Sequence, residues 1–182
     1  SAKDYFLLNG PTGTGKTGVI ASLLFKAMFK RTLIVVPSDS LRKQISDDLI
    51  DFKKYIDWGV LPENSEQPII SRLEPKDIDK IVEHDLEEQF IVVATSQIFN
   101  SFQDENLKVF LNQFDRLIFD EAHHSEAPTW KKLRDNFTKR KKKIFQFTAT
   151  PYRGDGKKLE GKLIFQYSIA KAFDEGIFEK IQ

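Results

Sequence analysis

The chain has 182 residues, 40% of them hydrophobic and 30% charged, the balance of one α/β domain with a core of its own. Its formal charge of +1 gives no bulk attraction for a polyanion, so any nucleic-acid surface must be local. It contains no cysteine, which excludes disulfide scaffolds, cysteine-based zinc sites and thiol catalysis; no apolar run approaches a membrane span or a signal peptide, in keeping with a cytoplasmic location and no membrane partner.

Tyr5–Asn9 reads as a short buried strand and Thr17–Lys30 as a helix. Thr32–Val36 is a continuous β-branched run closed by Pro37, the pattern of a buried parallel strand. Ser38 is the expected N-cap of a helix running to about Tyr55, with Leu41, Ile45, Leu49 and Phe52 on its apolar face. Trp58–Leu73 is rich in turn residues, with Ile69-Ile70 as a candidate extra strand. Pro75–Gln89 reads as an acidic amphipathic helix. Phe90–Thr95 is a buried strand followed by a helical stretch, and Leu117–Asp120, Ile144–Thr148 and Leu163–Tyr167 are three further strands. Strands alternating with helices imply a parallel sheet with helices on both faces.

The segment between the first strand and first helix carries the chemistry. Gly10-Pro11-Thr12-Gly13-Thr14-Gly15-Lys16-Thr17 fits G-x-x-x-x-G-K-[ST], the phosphate-binding loop, in the strand–loop–helix context it requires. Glycines let the backbone amides point inward at a phosphate, and the helix start adds partial positive charge. Lys16 supplies a point charge for the β/γ-phosphates of ATP, and the Thr17 hydroxyl is a ligand for Mg²⁺.

The apolar strand at 117–119 ends in Asp120-Glu121-Ala122-His123. A carboxylate at the carboxyl end of a strand facing a phosphate loop is suited to hold Mg²⁺, the role expected of Asp120; Glu121 is placed to orient or deprotonate the attacking water. Two stretches invite other readings. The basic run Thr138–Lys143 precedes a strand, so it lies at the sheet edge opposite the phosphate loop and is expected to be solvated. His123-His124 lacks the helical H-E-x-x-H spacing, so zinc is not expected.

Several motifs together carry a family resemblance. Gly10–Thr17 resembles motif I, Asp120-Glu121-Ala122-His123 the DEAH-type motif II, and Thr148-Ala149-Thr150-Pro151 motif III of superfamily 2 helicases. The run from Val35 to Gln44 resembles motif Ia, with Ser38 where the family usually has Thr, and Val93–Gln97 resembles motif Ib. His124 and Pro151-Tyr152-Arg153-Gly154-Asp155 are similar to the branch containing restriction-enzyme motor subunits.

The resemblance spans residues 1–182 and implies a RecA-like ATP-binding P-loop NTPase domain, a fragment of a longer chain whose second RecA-like domain supplies an arginine. It implies that His123, Thr148 and Thr150 couple nucleotide state to grip, and that Pro37, Ser38, Thr95 and, more weakly, Arg42 contact a nucleic-acid backbone, DNA in preference to RNA. The expected function is an ATP-driven helicase or translocase, weakly active as an isolated domain. The alternatives are an ATP-driven switch of the same fold that does not act on nucleic acid, and a non-catalytic nucleotide-binding module, which the intact Lys16, Asp120 and Glu121 disfavour.

Overall fold

The computed structural model describes residues 4–11, 13–26, 31–77, 90–122, 127–150, 152 and 156–176. Seven strands form one sheet: β1 (Tyr5–Asn9), β2 (Arg31–Val36), β3 (Ile69–Arg72), β4 (Phe90–Thr95), β5 (Arg116–Phe119), β6 (Lys143–Thr148) and β7 (Lys162–Gln166). All pairs are parallel and the order is β3-β4-β2-β5-β6-β1-β7. Ile69-Ile70 thus begins a true edge strand.

Parallel strands need crossover connections, and these cover both sheet faces. On one side α1 (Lys16–Lys26), α2 (Asp39–Ile50) and α3 (Lys53–Asp57) pack Ile20, Ala21, Ile45, Leu49 and Tyr55 against Leu8, Ile34, Val93 and Phe145. On the other, α4 (Asp104–Asn112) and α5 (Pro128–Lys139) pack Leu107, Phe110, Leu133 and Phe137 against Leu33, Val92 and Leu117. A sixth helix, α6 (Ile169–Asp174), follows β7. Being covered on both faces, the central strands bury nearly every residue, which is why they read as unbroken apolar runs.

One expectation is revised. The helix begun at Ser38, whose hydroxyl does accept from the Leu41 amide, stops at Ile50 instead of continuing to Tyr55. Asp47 and Asp48 load its last turn with negative charge where the dipole disfavours it. Phe52 then turns into the core, edge-on to Phe25 at 5.0 Å, before α3 restarts. After Thr95 the chain makes a 3-10 turn over Ser96–Ser101 before α4. Only Pro75–Asp77 of the predicted acidic helix falls within the described residues, and it is a 3-10 turn; 78–89 lie outside them.

Phe110 is fully buried and contacts the rings of Phe99, Phe102 and Phe114, so these four serve packing. The basic run lies at the amino edge, with Lys139, Lys141 and Lys143 exposed. Lys142 instead donates to the carbonyls of Asn112 and Phe114 at the end of α4, and burial lowers its pKa. No helix of the described residues is long and apolar enough to cross a membrane. Phe110→Ala is expected to destabilise the domain by about 3–5 kcal/mol, the cost of a large buried cavity, read as a lower midpoint in urea unfolding.

Candidate functional site

The register delivers the motifs to one edge. Asn9 lies beside Thr148, Val36 beside Thr95, and Asp120 donates its amide to the Val35 carbonyl at 3.0 Å. The phosphate loop after β1, the turn after β2, the end of β4, the acidic pair after β5 and the end of β6 therefore share the carboxyl edge of the sheet, where ligands bind in open parallel sheets.

Gly13 and Gly15 adopt φ of 86° and 82°, a conformation that L side chains rarely take, and this turns the loop into the start of α1. The Thr14 hydroxyl donates to the Pro11 carbonyl at 2.7 Å and closes the loop on itself. Lys16 is the first residue of α1, and Thr17 follows half-buried. Thr12 lies outside the described residues. The Gly10 amide donates to the Thr148 carbonyl at 2.9 Å, tying the phosphate loop directly to the end of β6.

Across β6, Lys16 Nζ meets Glu121 Oε1 at 2.6 Å, with each side chain about 15% exposed. This contact brings the two motifs into one site. Glu121 has φ of 53°, an uncommon conformation for a non-glycine residue, and the turn it makes aims its carboxylate at Lys16. Asp120 is 6% exposed, and its Oδ1 has no hydrogen-bond partner among the described residues. Burial pushes its pKa up to about 6; Lys16 acts in the opposite sense and Glu121 adds to the rise.

An unpartnered, desolvated carboxylate oxygen beside a phosphate loop is chemically suited to a hard divalent cation such as Mg²⁺, with Thr17 as a hydroxyl ligand. The described residues hold no cluster of three or more His, Cys, Asp or Glu that would bind a metal unaided.

Two residues that the sequence left without a role support this turn. Trp130 stacks on Phe119, the residue before Asp120, at 4.7 Å, and Ala122 is fully buried in the same cluster. The Asp-Glu-Ala pattern thus needs a small third residue for packing, a signal that the tetrad itself carried.

The coupling and backbone candidates are placed as follows. Thr148 is fully buried; its hydroxyl donates to the Thr150 carbonyl at 2.8 Å and accepts from the Thr150 amide at 3.2 Å. His123 lies outside the described residues. Pro37 and Ser38 sit at the edge, and Gln97 Nε2 donates to the Pro37 carbonyl at 3.1 Å, joining the two loops. Thr95 is buried. Arg42 is turned inward: Nη1 donates to the Leu73 carbonyl at 2.5 Å, and Nη2 lies 3.1 Å from Asp39.

A family model described as the type III restriction enzyme res subunit (ResIII) matches residues 1–153. The chain belongs to this family. The ResIII domain is 30% identical over 152 residues to Dicer-like protein 1 of Aspergillus clavatus, an alignment covering 77% of this chain and 10% of that protein. It is 29% identical over 173 residues to the putative DNA 3'-5' helicase Rad25 of Haloarcula marismortui, covering 92% of this chain and 24% of that one.

Among solved structures it superposes on the UvsW helicase of bacteriophage T4 with a TM-score of 0.59 at 19% identity, covering 90% of this chain and 55% of UvsW. The Type ISP restriction-modification enzyme LlaGI, solved with a DNA substrate mimic, gives 0.56 at 17%, covering 96% and 16%. These likenesses show the RecA-like fold. The ResIII domain is of the helicase type; it spans only a tenth to a quarter of the curated relatives it matches.

Because the folded-state pKa of Asp120 lies above the ordinary carboxylate value, ionising it in the nucleotide-free protein costs stability. The cost grows as pH rises from about 4 and is complete above about 6. Asp120→Asn is therefore expected to raise the stability of the nucleotide-free domain at about pH 8 by as much as about 3 kcal/mol, with the difference vanishing below about pH 4. Thermal melts at the two pH values check this.

Proposed function

We propose that this domain hydrolyses Mg·ATP as the motor of a nucleic-acid-dependent ATPase, a cytoplasmic DNA helicase or translocase. The observation that carries the reading is the 2.6 Å contact between Lys16 and Glu121, which unites a phosphate loop and an acidic pair in one site. Mg²⁺ held by Thr17 and Asp120 would neutralise charge on the β- and γ-phosphate oxygens.

The remaining work falls to the chain's own groups. The amides of the Gly13–Gly15 turn and the start of α1 bind phosphate oxygens. Lys16 exchanges Glu121 for a phosphate, so binding frees the Glu121 carboxylate to orient the attacking water and take its proton while ADP departs from the γ-phosphoryl group.

A second RecA-like domain of the same protein would supply an arginine to the transition state, a contribution of about 10³–10⁵ in rate where it has been dissected. The isolated domain is accordingly expected to be slow.

Coupling runs through the end of β6. The hydrogen bond from Gly10 to Thr148 links any loop movement to the Thr148–Thr150 turn, and His123 completes that group in this reading. Pro37, Ser38 and Thr95 mark the loops that would meet nucleic-acid phosphates without reading bases. Arg42, held by Leu73 and Asp39, would have to release those partners to join them. DNA is preferred over RNA because the names of Rad25 and the LlaGI complex refer to it.

The test is ATP turnover by the full-length protein with and without single-stranded DNA, duplex DNA and RNA. Stimulation by DNA is expected, with Lys16→Ala abolishing it. Glu121→Gln should lower turnover by about 10²–10⁴ while binding ATP at least as tightly as the wild type, since no ion pair then competes for Lys16. Lys16-dependent turnover that no nucleic acid stimulates would sink the motor reading in favour of a switch.

A further inference from the structure

The formal charge of +1 conceals a strong segregation. Residues 131–143 hold eight lysines and arginines against one acid, Asp135, a net of +7 that leaves the remainder of the chain at −6. This stretch is the second half of α5, the turn after it and the first residue of β6. The hydrolytic mechanism uses none of it.

Two grooves flank α5 and meet at Asp135 and Lys139, which line both. One, of about 570 Å³, lies between α4 and α5, with Lys108, Lys131, Lys132 and Arg140 on its walls. The other, of about 770 Å³, lies towards the starts of β1 and β6, with Arg134, Lys141 and Lys142 on its walls. Together the grooves carry eight cations against four acids, Asp4, Asp104, Asp135 and Glu160, so their combined field is positive.

Some of these cations have local tasks. Lys132 pairs with Asp104 at 2.5 Å, Lys108 with Glu105 at 2.7 Å, and Lys142 is held by backbone carbonyls. Lys131, Lys139 and Lys141 are exposed and have no ion pair among the described residues. Arg140 is half-buried, and its Nη1 is a buried donor without a partner among the described residues. A buried N–H of a guanidinium left unpaired is costly, and an anion in the groove would satisfy it. Lys132, Asn136 and Lys139 fall on one face of α5 at helical spacing. Lys132 and Lys139 are about 10 Å apart along the axis, roughly the rise of three nucleotides in one strand of a duplex.

The linings favour a ligand that brings charge alone. The apolar side chains of the first groove, Leu107 and Leu111, are already buried in the core. An acidic amphipathic helix would therefore find no open apolar pocket for an anchor. A phosphodiester backbone needs none, since its affinity comes from neutralised phosphates and released counterions.

We propose that the grooves flanking α5 form a second nucleic-acid backbone site, centred on Lys131, Lys139, Arg140 and Lys141 and separate from Pro37, Ser38 and Thr95 at the carboxyl edge. It goes beyond the nucleotide site, and rests on the reading above only in taking a nucleic acid as the polymer. Because it lies off the phosphate loop, it holds the polymer whether or not nucleotide is bound, without reading bases.

Fluorescence anisotropy of labelled single-stranded DNA, duplex DNA and RNA with the nucleotide-free full-length protein, over a salt series, tests it. Lys131→Gln/Lys139→Gln/Lys141→Gln is expected to weaken binding about tenfold or more and to lower the salt slope by about two to three. Its ATP turnover without nucleic acid should match the wild type, which guards against a folding defect. Lys53→Gln/Lys76→Gln/Lys162→Gln removes the same charge from exposed lysines outside the grooves and should change neither affinity nor slope. Equal losses from the two triple variants overturn the site, because net charge alone then accounts for binding. An unchanged affinity and slope in the first variant overturns it too, and the motor reading stands if DNA still stimulates turnover. A wild type that binds none of the three polymers overturns both readings. Binding of labelled polyglutamate through Lys131, Lys139 and Lys141 with no loss of nucleic-acid affinity in the variant overturns the assignment in favour of an acidic protein partner.

Discussion

β6 is the spacer on which the nucleotide site depends. It hydrogen-bonds β1 on one side and β5 on the other, with Asn9 beside Thr148 and Phe119 beside Gln146. Adjacent strands lie about 4.8 Å apart, so one intervening strand sets the loop and the acidic pair roughly 10 Å from each other. That gap is wide enough for a triphosphate and a cation, and narrow enough for an extended Lys16 to cross when neither is bound. A slip of one residue in either ladder would send Asp120 or the loop to the wrong face. The packing of both sheet faces by apolar side chains fixes the register that prevents this.

The site concentrates unfavourable features that the surrounding fold sustains. Asp120 is a desolvated acid, Glu121 sits in a left-handed conformation, and the Asp120 Oδ1 lacks a partner among the described residues. The Trp130–Phe119 stack and the buried Ala122 hold this turn from beneath. A site with its electrostatics arranged in advance needs little reorganisation when charge develops in the reaction. On the proposed function, the stabilising and the catalytic demands on Asp120 are opposed, and the large core is what lets the chain satisfy the second.

Features legible in the sequence are those imposed by local chemistry. Gly13, Gly15 and Lys16 are needed at a tight phosphate turn whatever the rest of the fold, and a strand buried on both faces must read as an apolar run, as Leu33–Val36 and Ile91–Ala94 do. Alternation of such runs with helices sufficed for the parallel sheet. The details that escaped depend on partners far along the chain. The Ile164 bulge is defined by its pairing with β1, the Lys16–Glu121 contact joins residues 105 apart, and Arg42 finds Leu73 across a connection that the sequence left unreadable. The break at Asp51 was visible as a cluster of acids, but apolar periodicity through Phe52 masked it.

The pairing of β1 has a bearing on how the domain is made. β1 contains the first described strand residues, yet both of its neighbours in the sheet come from the far end: β6 starts at Lys143 and β7 ends at Gln166. During synthesis the central strands β2, β4 and β5 can assemble before either described neighbour of β1 has been made. Closure of so long a loop is entropically slow, and β1 gains its first described partner only once β6, ending at Thr148, has been made. The phosphate loop is anchored only by that last step, through Gly10 to Thr148 and Asn9 to Tyr167. On the proposed function, nucleotide binding is reserved for chains that have completed the sheet, and a ligand present at that moment would pull the late step towards the native state.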